Sequence, residues 1–373
     1  MKHFRVHSMQ GFSIIELMIA MLLSLILLAG VGQIYVSSKQ SYRVTEEIGR
    51  MQENSRFAMD VLTKEIRMAG FSPCPRTDEV AITLTGGATS STDFGNGAIV
   101  GFEGGVDTFP SEFPGTGTAA GNRIADSDGF IMMRGGDNTY KLGTPPHNAS
   151  SAQFKIIDAT GLATGDILMV CDNDNTAIFQ ADNLAMNSGG ADDTMEHNPG
   201  GGGLSPGNCT KGLGYPADCT SALGNPHGYG TEAQIVKMVS TIYYIGVSQS
   251  GNGRALYRRG LLNNTGGTVS AGAAQELVDG IESMQTLYGV DTTGDRLANR
   301  YVTADQVGAA NWNSVVSVRV ALLSYTPDQI NYENDDNTYY LAGTQFDDTS
   351  HGADKRLRQV YTSTVKIRNR GDM

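Results

Sequence analysis

Positive charge is scarce in this 373-residue chain: 27 Lys and Arg stand against 39 Asp and Glu, a formal net charge of -12. That balance disfavours non-specific attraction to nucleic acid, so no direct nucleic-acid contact is expected. Proline is sparse at 11 residues, and with 15 tyrosines this speaks for ordered β structure rather than wholesale disorder. The 47 glycines follow no G-X-Y period, which excludes a collagen-like chain and points to a loop-rich one. Cysteine occurs four times, at Cys74, Cys171, Cys209 and Cys219, without the close paired spacing of a zinc site. Neither a P-loop nor a dinucleotide fingerprint is present.

Apolar sequence, by contrast, is concentrated near the start. From Leu17 to Ser38 there is no charged residue, and as a helix those 22 positions reach about 33 Å, enough to cross a hydrocarbon core of ~30 Å. Ahead of the run, Met1 to Gly11 carries Lys2, Arg5 and the titratable His3 and His7, with no acid. The positive-inside rule holds that end in the cytoplasm and sends the rest of the chain across. A secretory signal peptide begins in the same way. Against it stand the length of the apolar run, the lack of an A-x-A-like site between Leu28 and Tyr35, and Glu16 inside the leading edge. A lone carboxylate at that depth costs on the order of 2.5–3.5 kcal/mol on insertion scales, which marks Glu16 as functional and in need of a cation.

The string Gln10-Gly11-Phe12-Ser13-Ile14-Ile15-Glu16-Leu17-Met18-Ile19-Ala20 resembles the class III leader junction of type IV pilins and type II secretion pseudopilins. The resemblance implies that a prepilin peptidase cuts between Gly11 and Phe12 and that Phe12, the new N-terminus, is N-methylated. Glu16 then becomes the fifth residue of the mature protein. A free amine on Phe12 of a neighbouring subunit is the natural cation for Glu16 when helices pack away from water.

Beyond the span, Val44, Ile48, Met51, Ser55, Ala58, Leu62, Ile66 and Ala69 recur at three- and four-residue steps among six basic and five acidic residues. One helix is expected from about Phe12 to Ala69, stopped by Gly70 and Pro73, with its second half laying an apolar stripe on a sheet. The segments Ser37–Arg43, Met51–Ala58 and Arg67–Phe71, with Tyr288–Asp291 and the closing Arg358–Arg370, are similar to type IV pilus assembly minor pilins of the PilW family.

The expected organisation is a leader (1–11), a membrane or filament-core helix (12–36), an amphipathic half (37–70) and an extracytoplasmic β-rich domain (71–373). The fold class is α+β, pilin-like, a long N-terminal helix packed on an antiparallel sheet. Strands are read at Gly129–Arg134 and Asp166–Cys171 and at Val316, Val318, Val320 and Leu322 on one parity; Ile235–Val247 with Arg254–Arg259 reads as a hairpin. A short helix is expected over Ala273–Ile281, and the glycine-rich 186–230 is expected to be a surface loop. On the translocated side the four cysteines allow three disulfide connectivities. Cys209 and Cys219 flank a Gly- and Pro-containing loop that they can close directly, leaving Cys74 and Cys171 to tie the end of the helix to a strand.

Candidate chemistry is thin. Gly203-Leu204-Ser205-Pro206-Gly207 satisfies G-x-S-x-G but lacks a preceding strand, and its proline stands where oxyanion N–H groups belong. His147, His197, His227 and His351 fall in loop-like sequence and read as solvated. The acidic runs Asp172–Asn175 and Asp291–Asp295 have the oxygen-rich character of calcium loops but read as turns. No catalysis, metal or cofactor is expected. The PilW resemblance implies a minor pilin that helps initiate and cap type IV pilus assembly in a tip complex, supporting twitching motility and adhesion. Its partners are then the prepilin peptidase, other minor pilins, the major pilin and a tip adhesin. It would reside in the inner membrane before assembly and at the pilus tip after it. The alternatives are a type II secretion pseudopilin, which has the same head, and a membrane-anchored periplasmic binding module.

Overall fold

In a computed structural model, residues 11–74, 79–187, 190–200, 203–251, 253–308, 311–331, 333–347 and 353–369 are described. The basic leader residues, His351 and Arg370 lie outside them. By its internal contacts the chain divides into two units, 1–50 and 51–373, taken separately below.

The described chain opens with α1 (Ile14–Met68). There follow β1 (Val80–Ile82), β2 (Ile99–Phe102), β3 (Gly129–Asn148), β4 (Gln153–Ile156), β5 (Ile167–Cys171), β6 (Thr176–Gln180), β7 (Asn183–Ala185), β8 (Asp193–Glu196), β9 (Gln234–Val247) and β10 (Arg254–Gly260). Next come β11 (Asn263–Thr265), β12 (Thr268–Ser270), β13 (Gln275–Asp279), β14 (Ile281–Val290), β15 (Arg300–Val302) and the short α2 (Ala304–Val307). β16 (Val315–Tyr325), β17 (Tyr339–Leu341), β18 (Thr344–Phe346) and β19 (Arg358–Lys366) complete it.

The first unit is apolar helix from its first turn. The second contains an eleven-stranded sheet with the path β1-β6-β5-β9-β3-β4-β8-β7, on which β2 pairs with β3, and β10 with β9 and β13. Apart from parallel β1 and β6, its pairs are antiparallel. A separate four-stranded antiparallel sheet runs β15-β14-β16-β19. The architecture is α+β, as the sequence predicts.

Met51, Ser55, Ala58, Leu62, Ile66 and Ala69 are buried, so the apolar stripe read at three- and four-residue steps is the packing face. Ala58, Leu62 and Ile66 share one core with Phe130, Met132 and Ile242 of the large sheet and with Met284, Val318 and Val365 of the small one. Gly70, at φ 74°, ends the helix in a conformation that a side chain would strain, and a Cβ there would meet the Asn369 carbonyl.

Three expectations change. Ala273–Ile281 is not a helix: β13 pairs with β10 from Ala255↔Asp279 to Arg258↔Gln275, and this ladder outweighs the helix propensity of Ala-Gln-Glu-Leu. Residues 186–230 are not simply a surface loop, since β8 lies within them and Met195, His197, Asn208, Thr210, Leu213 and Tyr229 are buried. The strand read at Val316 to Leu322 forms as β16, apolar on both faces. Val318, Val320 and Leu322 enter the main core, whereas Ala321 and Leu323 pack against Leu341 and Phe346 of the β17–β18 hairpin on the other face. The histidines are treated below.

Candidate functional site

Two regions of the chain carry features that folding alone does not require. The first is the head of α1. Ser13 starts the helix by accepting the Leu17 N–H at 3.1 Å, and Glu16 lies in the first turn, where the positive end of the helix dipole favours a carboxylate. Gly11 and Phe12 precede the helix, and Phe12 is 84% exposed. A Cβ at Gly11 would meet no atom within 4 Å, so no contact in the described chain demands glycine there. The apolar window of α1 has a mean hydropathy of 2.6 and none of it is buried by protein. An unburied surface of that length requires lipid or other helices as solvent.

The second region is the β14–β16–β19 sheet. Arg358, at the start of β19, is buried with three carboxylates around it. Its Nε donates to Glu282 Oε2 at 2.6 Å, and its Nη1 to Asp354 Oδ1 at 2.8 Å and Asp335 Oδ2 at 3.1 Å. Burial alone would lower its proton affinity, but the bonds to Glu282 and Asp354 overcome that and raise it. Burial raises the Asp335 pKa, and donors on Asn337, Tyr339 and Arg358 more than offset this, leaving it below the ordinary range. One guanidinium thus ties the segment between β16 and β19 onto the sheet.

Where the two sheets meet, Asp128 Oδ1 accepts the Gly104 N–H at 2.9 Å, and its Oδ2 accepts the Thr286 N–H at 2.7 Å and hydroxyl at 3.0 Å. Burial nevertheless pushes Asp128 up to about 6. Burial and the charge of Asp128 push its neighbour Glu103 up to about 7. These two carboxyls and the Arg358 cluster escaped the sequence reading. They are far apart along the chain, and their only trace is a charged residue within or beside an otherwise apolar strand.

His147 and His197 are not solvated. His197 is fully buried, its Nε2 lies 3.2 Å from His147 Nε2, and the His147 ring stacks on Phe154 at 4.2 Å between centroids. Burial, then the adjacent charge, lowers His147 to about 4 and His197 to about 3, so both are neutral parts of a core. His227 Nε2 meets Asp172 Oδ2 at 2.6 Å.

The other sequence candidates resolve into structure. Asp172 Oδ1 accepts the Asp174 and Asn175 N–H groups, and Asp291 those of Thr293, Gly294 and Arg296, so both acidic runs close turns on themselves. Among the described residues no three His, Cys, Asp or Glu converge as metal ligands. Ser205 binds the β11–β12 hairpin through its backbone, its N–H to Gly267 O and its carbonyl to the Val269 N–H, and no helix follows it. Cys74 pairs with Cys171, tying the segment after α1 to β5, and Cys209 with Cys219.

Comparison with known proteins connects the two regions. Residues 7–32 match the family model of the prokaryotic N-terminal methylation motif, and residues 242–369, from β9 through β19, match that of type IV pilus-assembly protein W. A type IV-like pilin from Thermus thermophilus is similar at 16% identity over 36% of this chain and 70% of its own, with a TM-score of 0.21. No curated protein matches. The leader motif implies processing by a prepilin peptidase and a membrane-anchored pilin, and the pilus-assembly region implies interaction with other pilins. The methylation motif thus stands at the head of the chain and the match to type IV pilus-assembly protein W runs across its last strands.

Proposed function

We propose that this protein is a minor pilin that helps to initiate and cap type IV pilus assembly as part of a tip complex, and so supports twitching motility and adhesion. The single observation that carries the reading is the head of α1: an apolar span with no protein cover, preceded by Gly11 and Phe12 and bearing one carboxylate, Glu16, in its first turn. Cleavage between Gly11 and Phe12 leaves a free amine, which is N-methylated. In the assembled fibre that amine on one subunit neutralises Glu16 of its neighbour, because a carboxylate buried among helices needs a cation. The unit 51–373, with two sheets and an ordered glycine-rich segment, is bulky for a thin repeating fibre and suits one or a few copies at the tip. The protein resides in the inner membrane with its bulk in the periplasm until assembly, and its tip partners include other minor pilins, the major pilin and an adhesin.

The test is a deletion strain scored side by side for surface pili and for secreted exoproteins. Loss of pili with intact secretion is the expected result. Loss of secretion with intact pili would assign the protein to a type II secretion pseudopilus, and no change in either would leave a membrane-anchored periplasmic module.

A further inference from the structure

The four-stranded sheet ends in β19, which pairs with β16 on one side and with no other strand among the described residues. The register is regular over nine residue pairs, from Ser317↔Lys366 to Tyr325↔Arg358. Just beyond the two ends of this ladder, the Ile367 N–H donates to Val316 O at 3.0 Å and the Thr326 N–H to Leu357 O at 2.9 Å. In an antiparallel pair, residues that bond the partner alternate with residues that do not. The odd-numbered positions of β19 therefore bond β16, and Val360, Thr362 and Thr364 direct N–H and C=O groups away from the sheet.

Natural sheets protect such an edge with proline, a bulge, short length or inward charge. β19 has no proline, no register shift and nine residues, and its charged residues, the buried Arg358 and the exposed Lys366, stand only at its two ends, leaving Gln359 to Val365 uncharged. Space lies beside it: a groove of about 330 Å³ lined by Arg56, Met59 and Asp60 of α1 and by Gln359, Tyr361 and Ser363. At the end of the strand, Lys366 and Arg368 border a second cavity of about 350 Å³ together with Arg296, Ser314 and one carboxylate, Asp291. From Arg358 to Asn369 the strand and its continuation contain no acid.

We propose that β19 is an assembly edge onto which an extended segment of a different pilin subunit, one bearing carboxylates, adds as a further strand. The inference rests on the assembly role proposed above and names the surface that performs it. Backbone hydrogen bonds to Val360, Thr362 and Thr364 supply the pairing, and the basic end at Lys366 and Arg368 selects an acidic partner. A second copy of this chain is disfavoured as occupant. Antiparallel self-pairing centred on Thr362 brings no carboxylate to Lys366 or Arg368, because neither strand holds an acid from Arg358 to Asn369.

The test uses the full-length protein in its own cells. A photocrosslinking residue at Thr364 should capture another pilin subunit, and Thr362→Pro should reduce capture from the Thr364 position on the order of tenfold, about the worth of one backbone hydrogen bond. Because the Thr362 N–H faces outward, the substitution leaves the β16 ladder and the thermal midpoint unchanged, whereas Ser363→Pro removes an inward N–H and lowers the midpoint. Lys366→Glu with Arg368→Glu should reduce capture by a similar factor in a normally folded protein. Capture of a second copy of this chain, capture of no polypeptide, or capture unchanged by Thr362→Pro would each overturn the proposal. If deleting the protein abolishes pili while the Thr362→Pro strain keeps both pili and crosslink, the edge is wrong and the assembly role stands. If deletion leaves pili intact, the assembly role itself fails.

Discussion

Glu103→Gln should stabilise this protein at pH 8 and leave it unchanged at pH 4. Glu103 is 8% exposed, its Oε2 takes no hydrogen bond from the described residues, and Asp128 adds like charge beside it. Burial and that charge move its pKa from 4.5 to about 7. A group whose folded-state pKa is raised in this way holds its proton in the folded state after the unfolded chain has lost it, so stability falls as pH rises from 4.5 through 7 and then levels off. At ~1.4 kcal/mol for each tenfold in proton affinity, the full displacement is about 3 kcal/mol, and allowing for residual hydration the usable part is about 1–2 kcal/mol. Glutamine keeps the shape and cannot ionise. The expected gain at pH 8 is a few °C in thermal midpoint, measured on the detergent-solubilised chain, with no gain at pH 4, where both side chains are neutral. An equal shift at the two pH values, or a loss at pH 8, would refute the burial-and-repulsion account.

Four further outcomes are expected. Gly11→Val should leave uncleaved precursor, seen by intact mass, while the same globular unit forms, because a Cβ at Gly11 meets nothing in the chain. Glu16→Leu should permit cleavage and membrane insertion but abolish piliation, so wild-type pili in that strain would remove the charge-pairing argument. Arg358→Leu leaves Glu282 and Asp335 buried without their cation and should cost about 3–5 kcal/mol, read as a loss of thermal midpoint. Cys74→Ser opens a covalent loop spanning 97 residues and should cost about 2–4 kcal/mol, whereas a change within error would show that the crosslink adds nothing to the packing of α1 on the sheet.

Some features of the sequence determine their structure because they depend on neighbours along the chain. The charge-free run from Leu17 to Ser38 and the three- and four-residue spacing from Met51 to Ala69 specify one helix with two different surroundings, since helical hydrogen bonds are local and the apolar face follows from a period of 3.6 residues. The Gly11, Phe12 and Glu16 motif is legible for the same reason, since it is contained in one short stretch, Gly11 and Phe12 just before α1 and Glu16 in its first turn. The hairpin of β9 and β10 is legible because its turn lies between its two strands.

What the tertiary structure alone decided depends on partners distant in sequence. Ala273–Ile281 has a helical composition and becomes β13 because β10 presents a ladder to it. His147 and His197, 50 residues apart, read as loop residues and become a neutral pair, His197 fully and His147 partly buried, only when β4 and β6 bring Phe154 and Phe179 around them. Arg358 gains meaning from Glu282, 76 residues away, and the open edge of β19 exists because β19 pairs with β16 on one side and with no strand on the other among the described residues. Local periodicity records the surface a segment must bury; which surface receives it is set by chain closure over long separations, and no short window of sequence contains that information.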